Sequence, residues 1–131
     1  MFVDASAMVA ILASEEDAGA LAARLGQAQR AYTSPVAIYE TVLGLARVTG
    51  MRVVESRALV SEFLDEAGIE TILITDSIAD LAIDAFDRFG KGRHKAALNL
   101  GDCFAYACAL ALEEPLLFKG QDFPQTDVTV A

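Results

Sequence analysis

Asp102 is the only ionisable carboxylate in the apolar run from Ala96 to Leu112, and Asp4 is the only charged side chain between Met1 and Ser14. Burying an unpaired anion costs several kcal/mol unless it is protonated, paired or bound to a metal. Two isolated acids in two apolar segments far apart in sequence therefore point to one shared acidic site. Glu40 and Asp122 are the further candidates. On a helix the neighbours of Glu40 three and four positions away are Val36, Ala37, Leu43 and Gly44, and those of Asp102 are Leu98, Asn99, Ala105 and Tyr106, so neither has a local cation to pair with. Clustered carboxylates suit a hard divalent cation such as Mg²⁺ or Mn²⁺, which takes oxygen ligands and keeps several waters. Such a site can activate a water and stabilise charge on a phosphodiester in flight. His94 is the only histidine and the two cysteines are not in a zinc pattern, so neither a zinc site nor a Ser/His/Asp triad is supported. No phosphate-binding Gly-x-x-x-x-Gly-Lys-Ser/Thr loop is present.

Strand patterns alternate with helical ones along the chain, as expected for a parallel sheet covered by helices on both faces, a three-layer α/β/α sandwich of four to five strands. Strands are expected at Phe2 to Asp4, Ala31 to Thr33, Ile69 to Ile74 and Pro115 to Phe118, with Val128 to Val130 as an edge strand. Helices are expected over Glu16 to Gln29, Pro35 to about Val48, Val53 to Ala67, Asp76 or Ser77 to Phe89, and Ala96 to Glu113. Ser34-Pro35 is a cap followed by proline at the first helical position, and Gly50 and Gly68 mark stops. Function in such sheets lies outside the carboxyl ends of the strands. Asp4 and Asp122 follow strands, while Glu40 and Asp102 lie early in helices entered from the same rim.

The 131 residues fit a single domain, 1–131, with a core large enough to fold without staples. Apolar runs are interrupted before the roughly 18 residues a membrane span needs. The opening Met-Phe-Val-Asp lacks the basic lead of a secretory signal, and Cys103 and Cys108, five apart in one helix, are poorly placed for a disulfide. These features predict a cytoplasmic setting. A net charge of −9 argues against a general electrostatic grip on nucleic acid and favours cations or a basic partner.

Each acid also has an ordinary structural role open to it. Asp4 can cap the turn into Ser6 and Ala7, Asp102 can complement a helix dipole behind Gly101, Glu40 can be a solvated edge residue, and Asp122 a surface turn residue. The coincidence of all four at one rim outweighs these separate readings. Asp also follows the first strand in phosphoryl-accepting receivers and in haloacid-dehalogenase-like phosphatases. Those folds want a second acid close by, and here Asp4 is followed by Ala5 and Ser6. A non-catalytic interaction module that receives a basic peptide is the third alternative.

Met-Phe-Val-Asp-Ala-Ser-Ala, Ser-Pro-Val-Ala-Ile-Tyr-Glu, Leu-Asn-Leu-Gly-Asp-Cys-Phe-Ala-Tyr-Ala and Leu-Leu-Phe-Lys-Gly-Gln-Asp-Phe occur in that order. Together they resemble the four motifs of PIN-domain ribonucleases, and most closely the VapC-type toxins of bacterial type II toxin-antitoxin pairs. The resemblance covers the whole chain. It implies a PIN-like fold and a Mg²⁺- or Mn²⁺-dependent endoribonuclease with Asp4, Glu40, Asp102 and Asp122 as its acidic quartet, Asp4 and Asp102 being the most direct metal ligands. Ser6 matches a small hydroxyl residue that supports the site. The resemblance further implies an RNA substrate, a homodimer, and a cognate antitoxin that joins it in a heterotetramer or larger assembly.

An acidic nuclease must still hold an anionic substrate. The segment from Arg88 to Lys95 places four of the ten basic residues, Arg88, Lys91, Arg93 and Lys95, in eight positions. Gly90 and Gly92 free backbone amides there for a phosphate. RNA contact and a solvated charge run between two helices are equally compatible with this pattern.

Overall fold

Two fully buried residues, Phe2 and Val3, form β1, and successive side chains of a strand point to opposite faces. That alternation organises the molecule. The computed structural model describes residues 1–131. After β1 come α1 (Ala5–Leu12), α2 (Ala18–Gly26), β2 (Ala31–Thr33), α3 (Pro35–Thr49), α4 (Val53–Ala67), β3 (Ile69–Thr71), α5 (Asp76–Phe89), α6 (Leu100–Leu112), β4 (Leu116–Leu117) and a 3₁₀ turn (Phe123–Gln125). The four strands lie in the order β3-β2-β1-β4 and all neighbours are parallel. Phe2 pairs with Leu116 and Val3 with Leu117.

Phe2 and Leu116 pack on one face with Ile78, Ala82 and Ala85 of α5 and Ala105 and Cys108 of α6. Val3 and Leu117 pack on the other with Ala7 and Met8 of α1, Leu21 and Leu25 of α2, and Ala37 of α3. Val42 and Leu45 of α3 meet Val60 of α4 in a smaller cluster. This is the expected three-layer α/β/α sandwich around a parallel sheet. No helix is long and apolar enough to cross a membrane.

Several boundaries differ from the sequence reading. That reading has no helix between Asp4 and Glu16, where α1 stands. The segment Ala-Ser-Ala-Met-Val-Ala-Ile-Leu has no polar face because Ala5, Ala7, Met8 and Ala10 are buried, so its period cannot show. The helix α2 is shorter at both ends than Glu16 to Gln29. The last long helix starts at Leu100 rather than Ala96, because Asn99 caps it and Leu98 makes a bridge to Gly90 instead. The third strand ends at Thr71, and Leu73 beyond it is 82% exposed. The edge strand is reduced to one bridge between Leu116 and Val130. By contrast, Pro35, Gly50 and Gly68 stand where the capping signals place them, both glycines in the left-handed conformation.

Candidate active site

All four acids lie at the carboxyl-end rim. Asp4 follows β1 directly, is the N-cap of α1, and is 4% exposed. Its Oδ2 accepts the Ser6 backbone N–H at 3.0 Å and the Ser6 hydroxyl. Burial raises its pKa above the usual carboxylate value, and the Ser6 bonds oppose that rise. The buried Thr33 at the end of β2 donates its hydroxyl to the Val3 carbonyl at 3.0 Å, tying together the two strand ends that precede Asp4 and α3.

Glu40 sits half-buried in the second turn of α3, entered through the Ser34 cap, whose Oγ accepts the Ala37 N–H. Its pKa is pushed up to about 7, first by burial and then by the negative charges of Asp4 and Asp102. Asp102, the third residue of α6, is raised to about 6 by burial, against the opposing hydrogen bond from Asn99, with the charges of Asp4 and Asp122 adding to the rise. The charges of Asp4 and Asp102 act on Glu40, and those of Asp4 and Asp122 act on Asp102, so the four carboxylates lie in one electrostatic neighbourhood. Asp122 itself is exposed at the start of the 3₁₀ turn.

Two residues to which the sequence reading gave no part in the site shape this arrangement. Asn99 Oδ1 accepts the Asp102 N–H at 2.9 Å while Asp102 Oδ2 accepts the Asn99 N–H at 3.0 Å, a reciprocal cap. The cap and the acidic site therefore coexist in Asp102, and the Asn-x-x-Asp spacing was the signal. Gly101 leaves the space that the Glu40 carboxylate fills, since a Cβ there would stand 2.0 Å from Glu40 Oε2. No motif of glycine alone announces that contact.

The donor set fits a hard cation, because it is made of carboxylate oxygens that raise one another's pKa in the absence of positive charge. No three acidic, cysteine or histidine side chains close into a ready-made cage. An ion that keeps several waters does not need one. Cys103 and Cys108 are buried free thiols, both pushed up to about 11 chiefly by burial, and so are neither thiolate ligands nor nucleophiles at neutral pH. His94 accepts the Ala96 N–H at Nδ1 and packs edge-on against Phe89, a structural role.

The basic segment is divided. Arg88 pairs with Asp127 at 2.9 Å, and Arg93 pairs with Asp87 at 2.6 Å. Lys91 and Lys95 are exposed and pair with no carboxylate. Two of the four expected RNA contacts are thus already engaged within the chain.

The family model for the PIN domain matches residues 1–128. A protein named Ribonuclease VapC from Mycolicibacterium smegmatis is 38% identical over 134 residues, covering 98% of this chain and 97% of its own length. Ribonuclease VapC28 of Mycobacterium tuberculosis is 42% identical over 129 residues, covering 98% of this chain and 95% of its own. Among solved structures, Mycobacterium tuberculosis VapC20, described as a toxin that cleaves the sarcin-ricin loop, superposes with a TM-score of 0.78 over 99% of this chain and 97% of that one. Its 17% identity makes this a likeness of fold alone.

Proposed function

The chain belongs to the PIN-domain family and, within it, to the VapC ribonucleases, and from that premise we propose that it is the toxin of a toxin-antitoxin pair, an endoribonuclease that hydrolyses RNA at the rim where Asp4, Glu40, Asp102 and Asp122 gather. The observation that supports this reading best is the electrostatic coupling of carboxylates drawn from three separate elements, with Glu40 and Asp102 both raised by Asp4. A structural cap or a solvated edge acid has no need of such neighbours.

In the proposed site Asp4, Glu40, Asp102 and Asp122 would hold a Mg²⁺ or Mn²⁺ ion, which would supply activation of a water and offset charge on the phosphodiester. Asp4 is fixed by Ser6, and Asp102 by the reciprocal cap with Asn99, so both carboxylates are held before substrate arrives. Glu40 is held by the helix α3 and by the gap at Gly101. In the hydrolysis the water oxygen bonds to phosphorus as the water gives up a proton, one P–O ester bond breaks, and the departing oxygen takes up a proton in turn. Lys91 and Lys95, without carboxylate partners, are the residues of the basic segment free to meet the RNA backbone.

The partner would be a cognate antitoxin, and the functional toxin a homodimer. Tyr39 and Leu43, which flank Glu40 on α3, are 65% and 39% exposed, and Val54 and Leu59 of α4 are also uncovered. An antitoxin helix or tail laid over these side chains would bring an Arg or Lys to the acidic cluster and silence it. The test is RNA cleavage by the purified chain with Mg²⁺ or Mn²⁺. Cleavage that stops in excess EDTA supports the proposal, and cleavage that survives chelation sinks it. A protein that cuts no RNA with either ion would instead favour the interaction-module alternative.

A further inference from the structure

Asp122 is the exposed member of the quartet, carried on the loop between β4 and the 3₁₀ turn. Lys119 ties that loop down. Its backbone N–H donates to Ser6 Oγ at 3.0 Å, and the Ser6 hydroxyl donates onward to Asp4 Oδ2. A hydroxyl has one proton, so the Lys119 N–H, by occupying a lone pair of the oxygen, leaves that proton for Asp4. The Lys119 ammonium meanwhile pairs with Glu15 and stands 3.2 Å from Asp17 Oδ1, both in the connection between α1 and α2. Asp17 Oδ1 is shut off from solvent and no hydrogen-bond donor other than this ammonium is at hand. Gly120, at φ +122°, then turns the chain toward Asp122, a conformation that side chains rarely adopt.

The loop is therefore fastened at both ends of α1, through a main-chain bond at its start and an ion pair just past its finish. An isolated surface pair contributes little. This one is shared by two acids, and although the three side chains are partly exposed, Asp17 Oδ1 itself is closed to solvent on the side that faces the ammonium. With its charge committed to two acids, Lys119 is not free for phosphate, in contrast to Lys91 and Lys95.

We propose that Lys119 is a positioning residue, which by clamping the β4 loop to Ser6, Glu15 and Asp17 presents the Asp122 carboxylate to the acidic cluster. This rests on the reading of the four acids as one cation site. Loss of the clamp lets the loop carry the Asp122 carboxylate away from the cluster while Asp4, Glu40 and Asp102 stay where their helices put them. The cation then binds more weakly, but the chemistry at saturating cation is spared.

The full chain, freed of any partner, is titrated with Mn²⁺ and followed by electron paramagnetic resonance. Lys119→Met is expected to weaken Mn²⁺ binding about tenfold, the scale seen when a residue that orients a metal ligand is lost. The Mg²⁺ concentration for half-maximal RNA cleavage should rise with it, and kcat at saturating Mg²⁺ should hold. Lys119→Arg should recover most of the affinity. The double variant Glu15→Gln with Asp17→Asn, which keeps Lys119, should reproduce the loss. Asp122→Asn added to Lys119→Met should weaken binding no further, and without metal the amides of residues 118 to 122 should exchange faster in Lys119→Met. Unchanged Mn²⁺ affinity and unchanged exchange in Lys119→Met, or a fully additive Asp122→Asn, overturns the clamp alone. Failure of the wild-type chain to take up Mn²⁺ overturns the cation site and the clamp's purpose with it.

Discussion

A Cβ on Gly101 would stand 2.0 Å from Glu40 Oε2, so the glycine at the start of α6 and the acid in the second turn of α3 occupy complementary space. The contact joins two of the proposed catalytic elements more directly than any hydrogen bond between them. Gly101→Ala should therefore act on geometry. The colliding atoms are the end of a flexible side chain, so Glu40 swings aside and the fold survives. Alanine is also favoured over glycine in a helix by about 1 kcal/mol, which offsets the crowding. Cleavage should drop roughly a hundredfold, the scale of a misplacement of about an ångström in an active site, while the urea midpoint moves little. Full activity in Gly101→Ala would show that the position of Glu40 does not matter to the chemistry.

Asp102 has two roles that a pair of substitutions separates. Asparagine at this position retains an oxygen for the Asn99 N–H, so Asp102→Asn keeps the reciprocal cap and removes a charge from a repulsive cluster. Activity should fall by a hundredfold or more, roughly, with metal-free stability equal or higher. Asp102→Ala keeps the Asn99 Oδ1 bond to the backbone N–H but loses the return bond to the Asn99 N–H, and should be less stable than Asp102→Asn by about 1 kcal/mol. Denaturant titration of both proteins beside an RNA cleavage assay decides it. Retained cleavage in Asp102→Asn would reduce this residue to its capping role.

The sequence made the rim legible because acids without local cations are conspicuous in apolar segments, and because strand ends and helix starts carry their own signals. Thus the sequence alone points Asp4, Glu40, Asp102 and Asp122 to one edge of the sheet. Periodicity failed at α1, where burial on several sides erases the polar face that would have revealed a helix. It also misjudged the start of α6, because Ala96 to Leu98 is as apolar as the helix although Leu98 is spent on a bridge to Gly90. The basic run was legible as charge but not as availability. The ion pairs Arg88 with Asp127 and Arg93 with Asp87 depend on side-chain geometry, the first of them across 39 residues. Gly101 was legible as a helix entry but not as the space for Glu40, since what it accommodates lies on another helix.

Those ion pairs give the basic segment an uneven forecast. The double variant Lys91→Ala with Lys95→Ala should raise KM for RNA several-fold with kcat unchanged. It should also lower the slope of log affinity against log salt by about 1.4, roughly 0.7 for each lost phosphate contact on a single strand. Arg88→Ala should instead leave the salt slope and KM unchanged, because Arg88 is an exposed side chain already paired with Asp127 and Tyr106 within the chain. Binding isotherms at several salt concentrations provide the measurement. An unchanged salt slope in the double lysine variant would place the RNA elsewhere.

The acids also set how stability depends on pH when no divalent ion is present. Glu40 stands at about 7 against an ordinary 4.5, and Asp102 at about 6 against 3.8. A carboxyl that holds its proton more tightly when folded binds more protons in the native state between those values, so stability falls as pH rises through the window. The penalty is absent below about pH 4 and complete above about pH 7, the opposite of the usual salt-bridged carboxylate. Both groups are partly exposed, and solvent screening cuts the effect to about 1 kcal/mol between about pH 5.5 and pH 7.5. Urea unfolding in EDTA at the two pH values should therefore show the metal-free protein more stable under the more acidic condition, with Glu40→Gln flattening the difference. Millimolar Mg²⁺ should remove most of it by stabilising the ionised cluster. If Glu40→Gln leaves the wild-type pH dependence intact, Glu40 ionises without penalty and the electrostatic coupling on which the site rests is absent.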